Sequence, residues 1–190
     1  MPGLLTLLGV LAIPVIFGIV IFNQLVMLKH HVSKAWSNID ILLTQRHEAL
    51  PRLIETCRTS MKQDQEMLEK VIQARRQVSG AQATHNIPAL SDAETALRMS
   101  LENLFAVVET YPGLKASLTF QHVQERISGL TQAIADHRES YNESVRANNL
   151  RVEQFPATLV AWILGFRRLS RLRFSNGVKK DIDLRQLFNP

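Results

Sequence analysis

A chain of 190 residues with 22 basic and 17 acidic side chains has room for one ordinary domain and not for two full ones. With only 8 Gly and 7 Pro it lacks the regular turn signals that a sandwich or barrel needs. A single cysteine, Cys57, excludes an internal disulfide framework and a cysteine-based zinc site.

The net charge of +5 has a definite address. Residues 1–166 carry 15 charges of each sign. The last 24 residues carry Arg167, Arg168, Arg171, Arg173, Lys179, Lys180 and Arg185 against only Asp181 and Asp183. A nucleic-acid binder usually carries its basic patch on a folded face interleaved with aromatics. Here the basic run follows an apolar run, which points to a membrane surface and away from nucleic acid.

From Pro2 to Leu28 there is no charged side chain. A hydrocarbon core of about 30 Å needs about 20 apolar residues of helix. Leu4 to Phe22 supplies 19, and Leu25 to Leu28 extends them. Pro14, near the middle, is tolerated because lipid leaves the backbone no alternative to a helix. A cleaved signal peptide fits badly, with no basic start, too long an apolar run and no small-residue cleavage site. Residues 1–28 therefore read as a retained single-pass anchor. No Lys or Arg precedes it and Lys29 and Lys34 follow, so the body leans to the cytoplasmic side by two charges.

Residues 29–155 read as a helical bundle. Leu25, Leu28, Val32, Trp36, Ile39, Leu43, Leu50, Ile54, Cys57 and Met61 recur in helical steps on one face. Pro51 should kink this helix or mark a local irregularity. Asp64, Glu66 and Glu69 suit the first turn of a new helix bearing Leu68, Val71, Ile72 and Val78. Residues 25–79 thus form either one rod, about 80 Å long at 1.5 Å per residue, or a helix that folds back near Asp64. Gly80 to Pro88 reads as a loop. A third helix should start at Ser91 with Glu94 in a capping box, and carry Ala93, Leu97, Leu101, Leu104 and Val108. Tyr111-Pro112-Gly113 should reverse the chain, with Tyr111 packed against the helix carrying Phe120. The last body helix runs from Leu114 to Glu153. Phe120, Ile127, Ile134, Tyr141, Asn148 and Phe155 repeat every seven residues, with Val123, Leu130 and His137 as companions. His137 and Asn148 are polar seam residues that fix register. Cys57 falls on an apolar face and reads as a buried thiol.

Residues 156–174 are apolar and then basic. Ala157 to Phe166 is too short to span a bilayer, and Arg167, Arg168, Arg171 and Arg173 follow at once. With Trp162 these arginines suit contact with anionic lipid headgroups. The competing reading is that Leu159, Ile163 and Leu164 cap the bundle and the arginines are solvated. If the segment is interfacial, residue 155 must return to the anchor, and the topology is an up-down-up-down bundle of four helices. Residues 175–190 read as a flexible tail.

No catalytic, metal or cofactor site can be read. His30 and His31 are neighbours that cannot face each other, His85, His122 and His137 are scattered, and no Glu-x-x-His pair occurs. There is no phosphate-binding glycine loop and no nucleophile elbow.

Several residues carry a family pattern. Ala35-Trp36, Ile39-Asp40, Arg46, Leu50-Pro51-Arg52-Leu53-Ile54-Glu55 and Ala74-Arg75 are followed by Tyr111-Pro112 with Leu114-Lys115, Phe120, Ile134, Arg138, Tyr141-Asn142, Pro156 and Gly165-Phe166. In this order and spacing the chain resembles the LemA family of bacterial membrane proteins. It departs from the pattern at Gln65-Glu66, Thr131 and Asn148-Asn149, and in its basic tail. The resemblance implies an all-α protein of the bacterial inner membrane, with one N-terminal transmembrane helix and an elongated antiparallel bundle. It implies no reaction and no cofactor. One branch of the family acts in forming magnetosome membranes, which makes membrane organisation the class of role expected. The leading reading is a membrane-tethered scaffold whose partners are lipid, other membrane proteins and, in a homo-oligomer, its own copies. The alternative is a regulatory subunit of a membrane protease or envelope-stress system.

Overall fold

The fold is that of a computed structural model, which describes residues 2–173, with side chains from residue 12 onward. The tail at 175–190, and Phe174 at the end of the apolar-then-basic segment, lie outside the described residues. Among the described residues there are helices and connections and no strand. The helices are α1 (Pro2–Arg58), α2 (Gln65–Ala83), α3 (Ile87–Val108), α4 (Pro112–Lys115), α5 (Leu118–Glu153) and α6 (Ala157–Ile163). The fold is all-α, as the periodicity predicts.

The packing groups the chain differently from a division at residues 28 and 155. One unit joins residues 2–41 to 134–171, and the other holds residues 42–133 with 172–173. α1 and α5 each contribute to both.

In the second unit four helical stretches alternate in direction. The chain folds back between Arg58 and Gln65, which settles the two readings of residues 25–79 in favour of the hairpin. Arg75 on α2 reaches His47 on α1, and Gln82 reaches Thr44, so α2 runs antiparallel to α1. Asp64, at the start of α2, accepts a hydrogen bond of 2.6 Å from the Tyr111 hydroxyl beyond the end of α3. Tyr111 is thus tied to the start of α2, and the Phe120 ring meets Phe105 edge-on with centroids 6.4 Å apart. Leu43, Leu50, Leu53, Leu97, Leu104 and Ile127 are among the side chains that close this core. Cys57 is buried there too, and burial pushes its thiol up to about 11.

One local expectation finds its physical setting and two are corrected. α1 passes through Pro51 without a break. Proline has no N–H to return to the carbonyl four residues back, here that of His47. Arg75 supplies the missing donor, its Nε giving that carbonyl a hydrogen bond of 3.1 Å. Its Nη2 also lies 2.8 Å from His47 Nε2, and burial followed by the Arg75 charge holds the His47 imidazole below its ordinary range. The loop expected at Gly80–Pro88 shrinks to residues 84–86. α2 ends with His85 at φ +50°, while the Asn86 N–H reaches back to the Ala81 carbonyl. Asn86, not Ser91, caps α3, its side chain accepting from the Ala89 N–H at 3.1 Å with Pro88 in the first turn.

Glu94 therefore belongs to no capping box. It lies about two turns inside α3, 4 % exposed, and forms an ion pair with Arg46, which is 2 % exposed. Burial raises the Glu94 carboxyl above its ordinary range against the opposing pull of the Arg46 charge.

In the first unit α1 and the second half of α5 run antiparallel. Trp36 meets Tyr141 edge-on at 5.9 Å, and Gln24 pairs with Arg151. The seven-residue seam holds through Phe120, Ile127, Ile134 and Tyr141, with Val123 as companion. It then shifts. The seven-residue rule would place Ser144 and Arg151 as the next companions. Val145 and Val152 are buried instead, one residue further on, beside Asn148. Two four-residue steps in succession keep apolar side chains on the face as the helix drifts. Phe155 drops out of the seam altogether and is 79 % exposed, because α5 has ended at Glu153.

Candidate functional site

The site is the apolar end of the first unit, and it is built from α1. Among the described residues Ile13, Val15, Ile16, Phe17, Ile19 and Val20 are all exposed. From Ile21 onward the pattern changes. Ile21, Leu25, Val32 and Ile39 are buried in steps of four and seven, and this is the face that α5 covers. α1 is the one described helix long and apolar enough to cross a membrane. An exposed apolar helix of this length is a candidate membrane span, and it continues without a break into the packed face of the body.

α6 lies against this helix. Ala157 and Ala161 are fully buried in a cluster with Ile21, Leu25 and Val152, and Val160 and Phe166 pack at its margin. Small side chains on one face of α6 permit the close approach. Its other face is apolar and open, with Leu159, Ile163 and Leu164 exposed and Trp162 83 % exposed. A groove of about 320 Å³ runs between the helices, with Val15, Gly18 and Ile19 on one wall and Val160, Ile163 and Leu164 on the other.

Gly165 ends α6 at φ +72°, in the left-handed region. The Phe166 N–H then bonds the Ala161 carbonyl at 2.9 Å, and the Gly165 N–H faces the Trp162 carbonyl at 3.4 Å. This turn aims Phe166 at Phe22, with ring centroids 6.2 Å apart. A Cβ at position 165 would meet nothing, so the cost of Gly165→Ala is that of the backbone alone. It should be about 1 kcal/mol, read as a lower melting temperature in detergent, and an unchanged melt would show that the turn relaxes freely.

Past the turn the chain runs back along α5. Arg168 pairs with Glu153 at 2.9 Å. Asn149 clamps the backbone of Leu169, its Nδ2 donating to the carbonyl at 2.9 Å and its Oδ1 accepting from the N–H at 2.8 Å. The Tyr141 hydroxyl donates to the Ser170 carbonyl at 3.1 Å.

Arg167, Arg168, Arg171 and Arg173 are all exposed. Arg167 and Arg168 follow directly from α6. Arg171 follows Ser170, held at the level of Tyr141, eight residues or about 12 Å up α5 from Asn149. Arg173 belongs to the other unit, where its N–H donates to Ser91 Oγ at 3.0 Å beside the buried Leu172. Of the two polar seam residues, Asn148 is buried with its Nδ2 donating to Asn149 Oδ1 at 3.3 Å, and His137 is half-buried. Asn149 was missed as a site residue. Its signal was the Asn148-Asn149 pair, one of the departures from the family pattern.

Among the described residues no three His, Cys, Asp or Glu side chains converge as a metal site would require. A second, open cleft in the other unit sets Arg52, His122 and Arg126 beside Glu48.

The family model for LemA matches residues 35–184. The chain belongs to the LemA family. Two magnetosome proteins of Paramagnetospirillum magneticum, MamQ 1 and MamQ 2, are each 32 % identical to it over 80 residues, 42 % of this chain and 29 % of theirs. MamQ of Magnetospirillum gryphiswaldense is 31 % identical over 81 residues, 43 % of this chain and 30 % of its own. These matches span less than a third of the length of those relatives. The LemA match begins just before Trp36 and extends past the Asn149 clamp and Gly165, so it takes in most of both packed units.

Proposed function

We propose that this LemA protein is a membrane-tethered helical scaffold that organises membrane or envelope partners at the bacterial inner membrane and catalyses no reaction. The observation that carries this reading is the return of α6 onto α1, where Ala157 and Ala161 share a core with Ile21 and Leu25. It ties the C-terminal end of the helical body to the helix that reads as the span, so the body is held at the bilayer by two elements. Arg167 and Arg168 then stand beside the level where α1 turns polar, at Asn23 and Gln24, within reach of anionic headgroups. The positive charges at Lys29 and Lys34 favour a cytoplasmic body. The family relation to magnetosome proteins supports a role in membrane organisation, by analogy.

Crosslinking in native membranes, followed by purification of the full chain, should recover the same membrane proteins or copies of this chain in every preparation. Recovery of nothing above background would remove the scaffold reading. In the same preparations, Arg167→Gln with Arg168→Gln should lower co-purifying anionic phospholipid several-fold. Unchanged lipid would mark these arginines as merely solvated.

A further inference from the structure

We infer that α6 is inserted into the hydrocarbon of the leaflet next to the body, as a half-depth hairpin beside the span, and does not lie on the membrane surface. The inference rests on the reading of α1 as the membrane span and deepens it.

Polar groups fix where the hydrocarbon ends. Gln24 pairs with Arg151, and Glu153 pairs with Arg168. Ionic side chains at this level belong in the headgroup region, since lipid makes them costly. The boundary therefore lies close to Phe22, and the apolar stretch from Leu4 to Phe22 is long enough, at 19 residues, to fill the hydrocarbon beyond it. α6 falls on the lipid side of that boundary. Its Val160, Ile163 and Leu164 share a groove with Val15, Gly18 and Ile19. Val15 precedes Phe22 by seven residues, so this neighbourhood reaches about 10 Å into a leaflet about 15 Å thick.

Two further observations agree with lipid and not with water. First, the segment pairs most of its own backbone, as the bilayer demands. Pro156 has no N–H. The N–H groups of Thr158, Leu159, Leu164, Gly165 and Phe166 bond the carbonyls of Gln154, Pro156, Val160, Trp162 and Ala161 in turn. Secondly, the open face is apolar and continuous with that of the span: Phe155, Leu159, Trp162 and Ile163 are exposed on the same side of the boundary as the exposed Ile19 and Val20. Hydrocarbon is the covering that both surfaces share. The arginines come directly after the Gly165 turn, which returns the chain to the boundary.

Insertion is tested on the full chain in vesicles of phosphatidylcholine and phosphatidylglycerol. The protein has two tryptophans, so Trp36→Phe leaves Trp162 as the only one. Lipids brominated along the acyl chain should quench its fluorescence several-fold more than aqueous iodide does. The converse variant, Trp162→Phe, should show the opposite preference, because Trp36 packs on Tyr141 in the body. A second arm avoids Trp36: in a Cys57→Ser background, Ile163→Cys should react with a membrane-impermeant maleimide at least about tenfold more slowly in vesicles than in detergent, while Arg168→Cys reacts readily in both. A urea wash separates the two readings. Protein that washes off the vesicles overturns the span and the insertion together. Protein that stays while Trp162 is quenched by iodide, or Ile163→Cys is labelled at the rate of Arg168→Cys, overturns the insertion alone.

Discussion

Arg46→Met should cost about 3–5 kcal/mol, because it strands a buried carboxylate at Glu94. The loss depends on pH, and its sign follows from the Glu94 carboxyl. Burial already raises that group in the folded protein, and the Arg46 charge is what opposes the rise. Without Arg46 the folded value moves further above that of the unfolded chain, about 4.3. Such a group favours the folded state below its unfolded value, and that advantage is lost as pH rises through the folded value. The deficit of the variant relative to the parent should therefore be smaller at about pH 5 than at about pH 8. Melting followed by circular dichroism in detergent reads it, and an equal deficit at both would show that Glu94 is not stranded. Arg46→Met with Glu94→Leu should recover most of the loss, since an apolar pair of similar volume replaces a buried ion pair at little net cost.

Arg75→Met should cost about 1–3 kcal/mol, the penalty for a half-buried carbonyl that loses its donor. The carbonyl is that of His47, which Pro51 leaves without its helical partner. The diagnostic is the background. Pro51→Ala restores an N–H to the helix, so Arg75→Met should then cost about 1 kcal/mol less. The same cost in both backgrounds would mean that Arg75 acts through the His47 ring or through packing alone.

What was legible in the sequence was what depends on local period or on a bulk property of a segment. The uncharged run to Leu28 and the faces of α3 and of the first half of α5 follow from side-chain type at helical spacing, whereas spacing left a rod and a hairpin near Asp64 equally open. What was not legible depended on a distant partner. Pro51 reads as a kink until Arg75, on another helix, supplies the donor that proline lacks. Ser91 and Glu94 form a capping box by spacing, but Arg46 turns Glu94 into an interior charge, and Asn86-Ile87-Pro88 offers a better start upstream. The arginines after α6 look like one cluster in the chain. Asn149 and Tyr141 hold main-chain atoms of Leu169 and Ser170, and such bonds are indifferent to the side chains that a sequence displays.

The division of the packing between contiguous and distant segments also sets an order of events. Residues 42–133 contain nearly all of one unit and can fold as soon as they are made. The row Leu25, Val32 and Ile39 cannot, because its cover comes from residues 134–171. Gln24 and Arg151 are 127 positions apart, a delay of roughly 6–25 s at the pace of synthesis. For that interval the row stands bare above a helix already apolar enough to enter the bilayer. A ribosome that stalls before residue 134 would leave a nascent chain with a finished bundle and an open apolar stripe, the kind of surface on which chaperones and quality-control proteases act.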